Sequence, residues 1–251
     1  MELNLKNKNV FISGGTDGIG LACVKKFASL GANVITFSRS NKKIQNLRKL
    51  KKKNFNIHVF KADALDDDSM NKLINVTLLK FKRIDILINN VGGGGSWGNK
   101  NFVNTNLKTW SEVFKKNNNP LILFTQKFLS GMKKNKWGRV ITISSILAEE
   151  YIMNSRPWYS SAKNSQIVFM KNFSKNQNFS KNNITFNSVS PGPLKSKTKN
   201  YSKKWIEKNI PADRLCNVHD IVNLILFISS DYSSFINGIN IKIDGGQSNS
   251  L

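Results

Sequence analysis

The chain has 251 residues, with 39 Lys and Arg against 15 Asp and Glu and a formal net charge of +24, a length that suits one large α/β domain with a substantial core. Its 2 cysteines, Cys23 and Cys216, exclude a disulfide framework or a zinc-ligand spacing; the longest strongly apolar stretch, Ile221 to Ile228, is far short of a bilayer span, and the N-terminus lacks the apolar core of a signal peptide. The lysines are scattered through every segment beside abundant asparagine, so the charge reads as a solvated basic face rather than a specific nucleic-acid site, on a soluble, reduced, cytoplasmic protein.

Short apolar runs alternate with longer amphipathic ones. Val10 to Ile12 has strand character, and the helical pattern from Ile19 to Leu30 that follows is stopped by Gly31. Asn33 to Phe37 leads to a helix over Asn41 to Lys52, Ile57 to Phe60 to a helix over Asp67 to Phe81, and Ile84 to Ile88 to a long helix over Leu107 to Lys134. Arg139 to Ile143, a helix from Tyr159 to Phe179, Ile184 to Asn187, a helix from Val218 to Ser230 and Ile239 to Ile243 complete the series. No linker or repeat divides it, so residues 1–251 are expected to form one domain. The alternation predicts an α/β fold, a doubly wound parallel sheet of Rossmann type with seven strands and helices on both faces. Such sheets bind ligands beyond the carboxyl ends of their strands.

Two groups of residues at those ends carry chemistry. Ser13-Gly14-Gly15-Thr16-Asp17-Gly18-Ile19-Gly20 sits between the first strand and the first helix. Glycines at 14, 18 and 20 permit a tight turn and close backbone approach, and the helix N-terminus offers free N–H groups and a positive dipole end to a pyrophosphate. Tyr159 and Lys163 stand i,i+4 in a helical run, which stacks them on one face. A neighbouring ammonium favours the phenolate and is expected to lower the tyrosine pKa from its reference near 10, which suits a general acid and base.

The glycine spacing resembles that of the short-chain dehydrogenase/reductase family, in its compact form, and the likeness extends over nearly the whole chain. Asn89-Asn90-Val91-Gly92 is similar to the family's Asn-Asn-Ala-Gly turn. The helix from Trp110 to Asn117 is similar to the one ending at its catalytic asparagine. Gly138 to Ser145 resembles its fifth strand with the catalytic serine last. Tyr159 and Lys163 fit its Tyr-x-x-x-Lys, Asn187 through Pro191-Gly192 its nicotinamide turn, and Ile236 through Gly246 its C-terminal strand. The resemblance implies that Tyr159 transfers the proton, Ser145 donates to the substrate oxygen, Lys163 serves tyrosine and the nicotinamide ribose, and Asn117 positions a water that relays protons to Lys163. It further implies cofactor contacts from Gly14, Thr16, Asp17, Gly18, Ile19 and Gly20. Ser38, Arg39, Ser40, Asp63, Ala64, Asn90, Val91 and Gly92 would follow, then Pro191, Gly192, Leu194 and Ser196. Ser144 reads as a strand-end serine, and His58 and His219 as structural.

NAD-preferring members carry an acidic residue after strand two, where this chain has Ser38-Arg39-Ser40. A guanidinium and hydroxyls fit a 2′-phosphate, so NADP(H) is expected over NAD(H), although Asp17 stands where a second basic residue is common. The expected activity is interconversion of a carbonyl and a secondary alcohol; a cofactor-binding sensor or scaffold without turnover is the alternative. Substrate selection should lie in the segment from about 193 to 215 and in the loop from Ala148 to Trp158, with Glu149, Glu150, Tyr151, Met153 and Arg156. Lys195, Lys197, Lys199, Lys203, Lys204 and Lys208 around Trp205 favour a substrate with an anionic handle, and Gly92 to Trp97 gives a pliant pocket edge. The helices Leu107 to Lys134 and Tyr159 to Phe179 are apolar beyond one stripe, which predicts a second buried side in a homodimer or homotetramer.

Overall fold

The computed structural model describes residues 2–50, 55–93, 103–150, 156–195 and 201–249. Strands β1 (Asn9–Ile12), β2 (Asn33–Ser38), β3 (Ile57–Lys61), β4 (Ile86–Asn89), β5 (Gly138–Ile143), β6 (Ile184–Pro191) and β7 (Asn240–Ile243) form one parallel sheet, ordered β3-β2-β1-β4-β5-β6-β7. The order reverses between β1 and β4, so the crevice beyond their carboxyl ends is the topological switch point where doubly wound sheets take ligands.

Eight helices are described: α1 (Gly18–Ser29), α2 (Asn41–Lys49), α3 (Asp67–Phe81), α4 (Leu107–Asn135), α5 (Pro157–Ser174), α6 (Gln177–Ser180), α7 (Lys203–Asn209) and α8 (Val218–Ile228). Alternation along the strands sends Val10 and Ile12 to the face covered by α1, α2 and α8, and Phe11 to the face covered by α3, α4 and α5. On the second face Phe11 meets Phe124 at 4.8 Å and Phe128 at 5.0 Å between ring centroids. These tilted aromatic pairs anchor α4 to the sheet.

Local chemistry sets the boundaries. Asp17, Ser40, Asp66, Asn106 and Asn217 cap α1, α2, α3, α4 and α8 through their side chains. Three expectations change. The helix read as Tyr159 to Phe179 starts earlier, at Pro157, which suits a first helical position. It also breaks after Ser174, because the Asn176 side chain accepts from the Asn178 N–H and restarts the chain as the single turn α6. Strand β6 runs on to Pro191 although Ser188 and Ser190 interrupt its apolar pattern; both hydroxyls donate to Asn240 Oδ1 at 2.9 Å, so β7 satisfies them. Helix α7, N-capped by Ser202, has no counterpart in the apolar periodicity. Among the described residues no helix is long and apolar enough to cross a membrane.

Candidate active site

The glycine turn and the turn after β4 are built as one unit. Ser13 Oγ accepts from the N–H groups of Asn90 at 2.8 Å and Val91 at 3.0 Å, and Asn90 Nδ2 donates to the carbonyls of Ser13 and Gly14 at 3.1 and 3.2 Å. Gly18 holds φ at +50° at the start of α1, where a side chain would be strained. Gly20 answers a different demand: a Cβ there would lie 2.3 Å from the Gly14 carbonyl oxygen, so the residue lets α1 approach the turn. Asp17 caps Gly18 at 2.9 Å, and Thr16 and Ile19 flank it half-buried.

Beyond β2, Ser38 Oγ accepts from the Ser40 N–H at 3.2 Å and Ser40 Oγ from the Lys43 N–H at 3.4 Å, leaving each hydroxyl hydrogen to donate elsewhere. The exposed Arg39 guanidinium lies 3.5 Å from Asp63, and the exposed Lys43 ammonium 2.8 Å from Asp17. Asp63 shapes its own loop by accepting from the Leu65 N–H at 3.0 Å, across Ala64. Lys43, which sequence reasoning did not single out, brings a basic group from α2 to Asp17 of the glycine turn. Its signal was the serine cap three residues before it.

Between β4 and α5 the buried groups converge. Lys163 Nζ donates to the Ile143 carbonyl at 2.8 Å and to Gln166 Oε1 at 3.1 Å, and lies 5.9 Å from the Tyr159 ring centroid. Asn117 is fully buried on α4; its Oδ1 accepts from the Gly93 N–H at 3.0 Å and its Nδ2 donates to the Gly93 carbonyl at 3.2 Å. Gly92 sits between the two, since a Cβ there would stand 2.5 Å from Asn117 Oδ1 and 3.2 Å from Lys163 Nζ. Ser145 shares a hydrogen bond with Tyr159 and accepts from the Leu147 N–H at 3.2 Å. Ser144 is structural in its contacts, donating from Oγ to the Lys163 carbonyl at 2.9 Å.

Electrostatics here depart from expectation. Burial raises the Tyr159 pKa above its ordinary 10, with the Ser145 hydrogen bond as the opposing influence. Burial also lowers Lys163 to about 7. The anticipated downward pull of the ammonium on the phenol gives way to desolvation, which penalises both charged forms.

At the end of β6, the Gly192 N–H donates to the Ile243 carbonyl at 2.9 Å and Leu194 bridges Cys216, which fixes the chain after Pro191. Glu149 and Glu150 are directed to the sheet edge, where Lys242 lies 3.7 and 3.9 Å away. Lys203, Lys204 and Lys208 fall on α7 beside Trp205, which stacks near Tyr201 with centroids 4.7 Å apart. Ser196, Lys197, Lys199, Tyr151, Met153 and the Gly94 to Trp97 stretch lie outside the described residues. His58 stands on β3, in edge contact with Phe81 at 4.9 Å, and His219 in the first turn of α8.

Comparisons with known proteins agree with this architecture. Residues 14–248 match the family described as Enoyl-(Acyl carrier protein) reductase. The 3-oxoacyl-[acyl-carrier-protein] reductase FabG of Aquifex aeolicus is 31% identical over 254 residues, covering 98% of this chain and 99% of that one. FabG of the Buchnera aphidicola subspecies Schizaphis graminum is also 31% identical, over 97% and 98% of the two chains. A solved short-chain dehydrogenase/reductase of Serratia marcescens superposes with a TM-score of 0.87 at 23% identity, covering 97% of this chain and 99% of that one. Another structure, of gox2181, reaches 0.88 at 20% identity, covering 98% and 97%.

Proposed function

The chain belongs to the short-chain dehydrogenase/reductase family and is an oxidoreductase, and from that premise we propose that it interconverts a carbonyl and a secondary alcohol with NADP(H). The observation that carries this reading is a chain of neighbours, Ser145 bonded to Tyr159, Lys163 beside Tyr159, and Gly92 between Lys163 and Asn117, near a glycine cradle at the switch point. The glycine turn supports a dinucleotide: Gly18, the first residue of α1, has nothing within 4 Å of where a Cβ would stand.

Bound there, the reduced nicotinamide would supply a hydride to the carbonyl carbon. Tyr159 gives its phenolic proton to the carbonyl oxygen as negative charge develops, and its raised pKa keeps that proton in place at neutral pH. Ser145 donates a hydrogen bond to the same oxygen. Lys163 would hold the ribose hydroxyls, while Asn117 fixes the Gly93 backbone from both sides. Gly14, Thr16, Ile19 and Gly20 would hold the pyrophosphate, Asp63 and Ala64 the adenine, Asn90, Val91 and Gly92 the adenosine side, and Pro191, Gly192 and Leu194 the nicotinamide. Arg39, with the Ser38 and Ser40 hydroxyls and Lys43 nearby, supports a 2′-phosphate and hence NADP(H).

For the substrate we favour a 3-oxoacyl thioester on an acidic carrier. The relatives named as 3-oxoacyl-[acyl-carrier-protein] reductases and the lysines of α7 both support it. The outward apolar residues of α4 and α5 support assembly into a homodimer or homotetramer. NADPH consumption measured with acetoacetyl thioesters of acyl carrier protein and of coenzyme A tests the reading. Turnover with a lower KM for the carrier form, rising with salt, is expected. Turnover with the coenzyme A form alone would remove the carrier, and none with any carbonyl would overturn the function.

A further inference from the structure

Gln166 lies one turn beyond Lys163 on α5 and is buried to 1% exposure, on the helix face that also carries Trp158, Ala162 and Met170. Its carboxamide spans two elements: Nε2 donates to the Asn117 backbone carbonyl at 2.8 Å, and Oε1 accepts from Lys163 Nζ at 3.1 Å. Only this orientation of the amide is chemically consistent, because the reverse would set an NH2 group against an ammonium and an oxygen against a carbonyl. A buried carboxamide costs free energy unless both ends are bonded. Leucine would fill similar volume at that position with no such demand.

We propose that Gln166 is a positioning residue that ties the Lys163 ammonium to the Asn117 carbonyl through its own carboxamide, taking the place of the water that Asn117 was expected to hold between them. The consequence is mechanical and chemical together. The carboxamide fixes the Lys163 head toward the Ile143 carbonyl and the Gly92 turn. An amide N–H does not exchange its proton as a water does, so this link holds Lys163 without conducting protons from α4. The groups facing Lys163 from β5, the 90–93 turn and α4 are the Ile143 carbonyl, Gly92 and Asn117, none of them charged; Tyr159 is the titratable neighbour on its own helix.

The inference rests on the catalytic reading of Lys163, but its test does not. In the ligand-free full-length protein, the Lys163 Cε carbon, labelled with carbon-13 and assigned by its loss in Lys163→Met, reports the pH at which the ammonium titrates. Gln166→Leu removes the acceptor and is expected to shift that titration down by about one pH unit, whereas Gln166→Glu supplies an anionic acceptor and is expected to shift it up by a similar amount. Kinetics supply the second readout: Gln166→Leu should lower kcat about tenfold or more, and Gln166→Glu should restore part of the loss as pH rises. Unfolding midpoints confirm that each variant is folded; should Gln166→Leu fail to fold, Gln166→Glu and Gln166→Met carry the titration. Lys163 titrating at one pH in parent and folded variants would overturn the proposal, as would parent-like kcat in Gln166→Leu or Gln166→Met. If the parent shows no turnover with any carbonyl, the function is refuted while the titration still decides Gln166.

Discussion

Tyr159 and Lys163 lie close together, yet burial moves their protonation in opposite directions, the phenol upward and the ammonium down to about 7. A phenol held protonated at neutral pH suits reduction, in which it must begin with its proton. Tyr159→Phe is therefore expected to lower kcat by about 10²–10⁴-fold while leaving the NADPH dissociation constant within a factor of about two, since only the hydroxyl is lost. Steady-state rates and fluorescence titration check both, and wild-type turnover in the variant would refute the role. Lys163 also links stability to pH. Its folded pKa of about 7 lies below the ordinary 10.5, so between those values the unfolded chain binds the extra proton and stability rises with pH. Lys163→Met is expected to flatten the rise of unfolding midpoint between about pH 7 and 10, against the parent in the same buffers.

The element scale is where glycine and charge do different work in one turn. Gly20 cannot carry a side chain in place, because its Cβ would stand 2.3 Å from the Gly14 carbonyl oxygen, whereas Gly18 has open space and only a positive φ. Gly18→Ala is thus expected to cost about 1–2 kcal/mol of stability and leave α1 in place, its methyl group entering the open space beside the turn. Gly20→Ala must push α1 from the turn and is expected to weaken NADPH binding at least about tenfold. Denaturant unfolding and cofactor titration separate the two. At the end of β2, Arg39→Ala and Lys43→Ala should each narrow the preference for NADPH over NADH by about tenfold, the worth of one charge-assisted hydrogen bond. A parent that binds NADH more tightly would reduce Arg39 to the partner of Asp63.

Across the whole molecule, α4 and α5 pack on each other and on the sheet, yet each keeps apolar side chains turned outward. Phe114 is 42% and Val168 47% exposed, with Trp110, Ile122, Leu123 and Phe169 partly so. A second outward group, Tyr232, Phe235 and Ile239, precedes β7, with Phe235 fully exposed. Two such surfaces suit a dimer through the helices that can double at the sheet edge. Light scattering at micromolar concentration is expected to give a dimer or tetramer. Phe114→Lys should shift it toward smaller species and reduce activity, because α5 carries Tyr159 and Lys163. A fully active monomer would refute the arrangement.

The alternation of β-branched runs with amphipathic ones determined the parallel sheet, because strands buried on both faces must read as apolar runs between helices. The glycine turn at a helix start and the four-residue spacing of Tyr159 and Lys163 are likewise local features that a linear text records, whereas Ser145 was reached only through the family resemblance. What the sequence left undetermined depends on partners distant along the chain. Ser188 and Ser190 continue a strand because Asn240 accepts hydrogen bonds from both hydroxyls, and Lys43 reaches Asp17 of the glycine turn from α2. The direction of the Tyr159 shift could not be read from i,i+4 spacing, since spacing records a neighbouring charge but not the loss of water around both groups. Gln166 was invisible for the same reason: its two bonds close only when α5 lies against α4, so packing alone decides what that carboxamide holds.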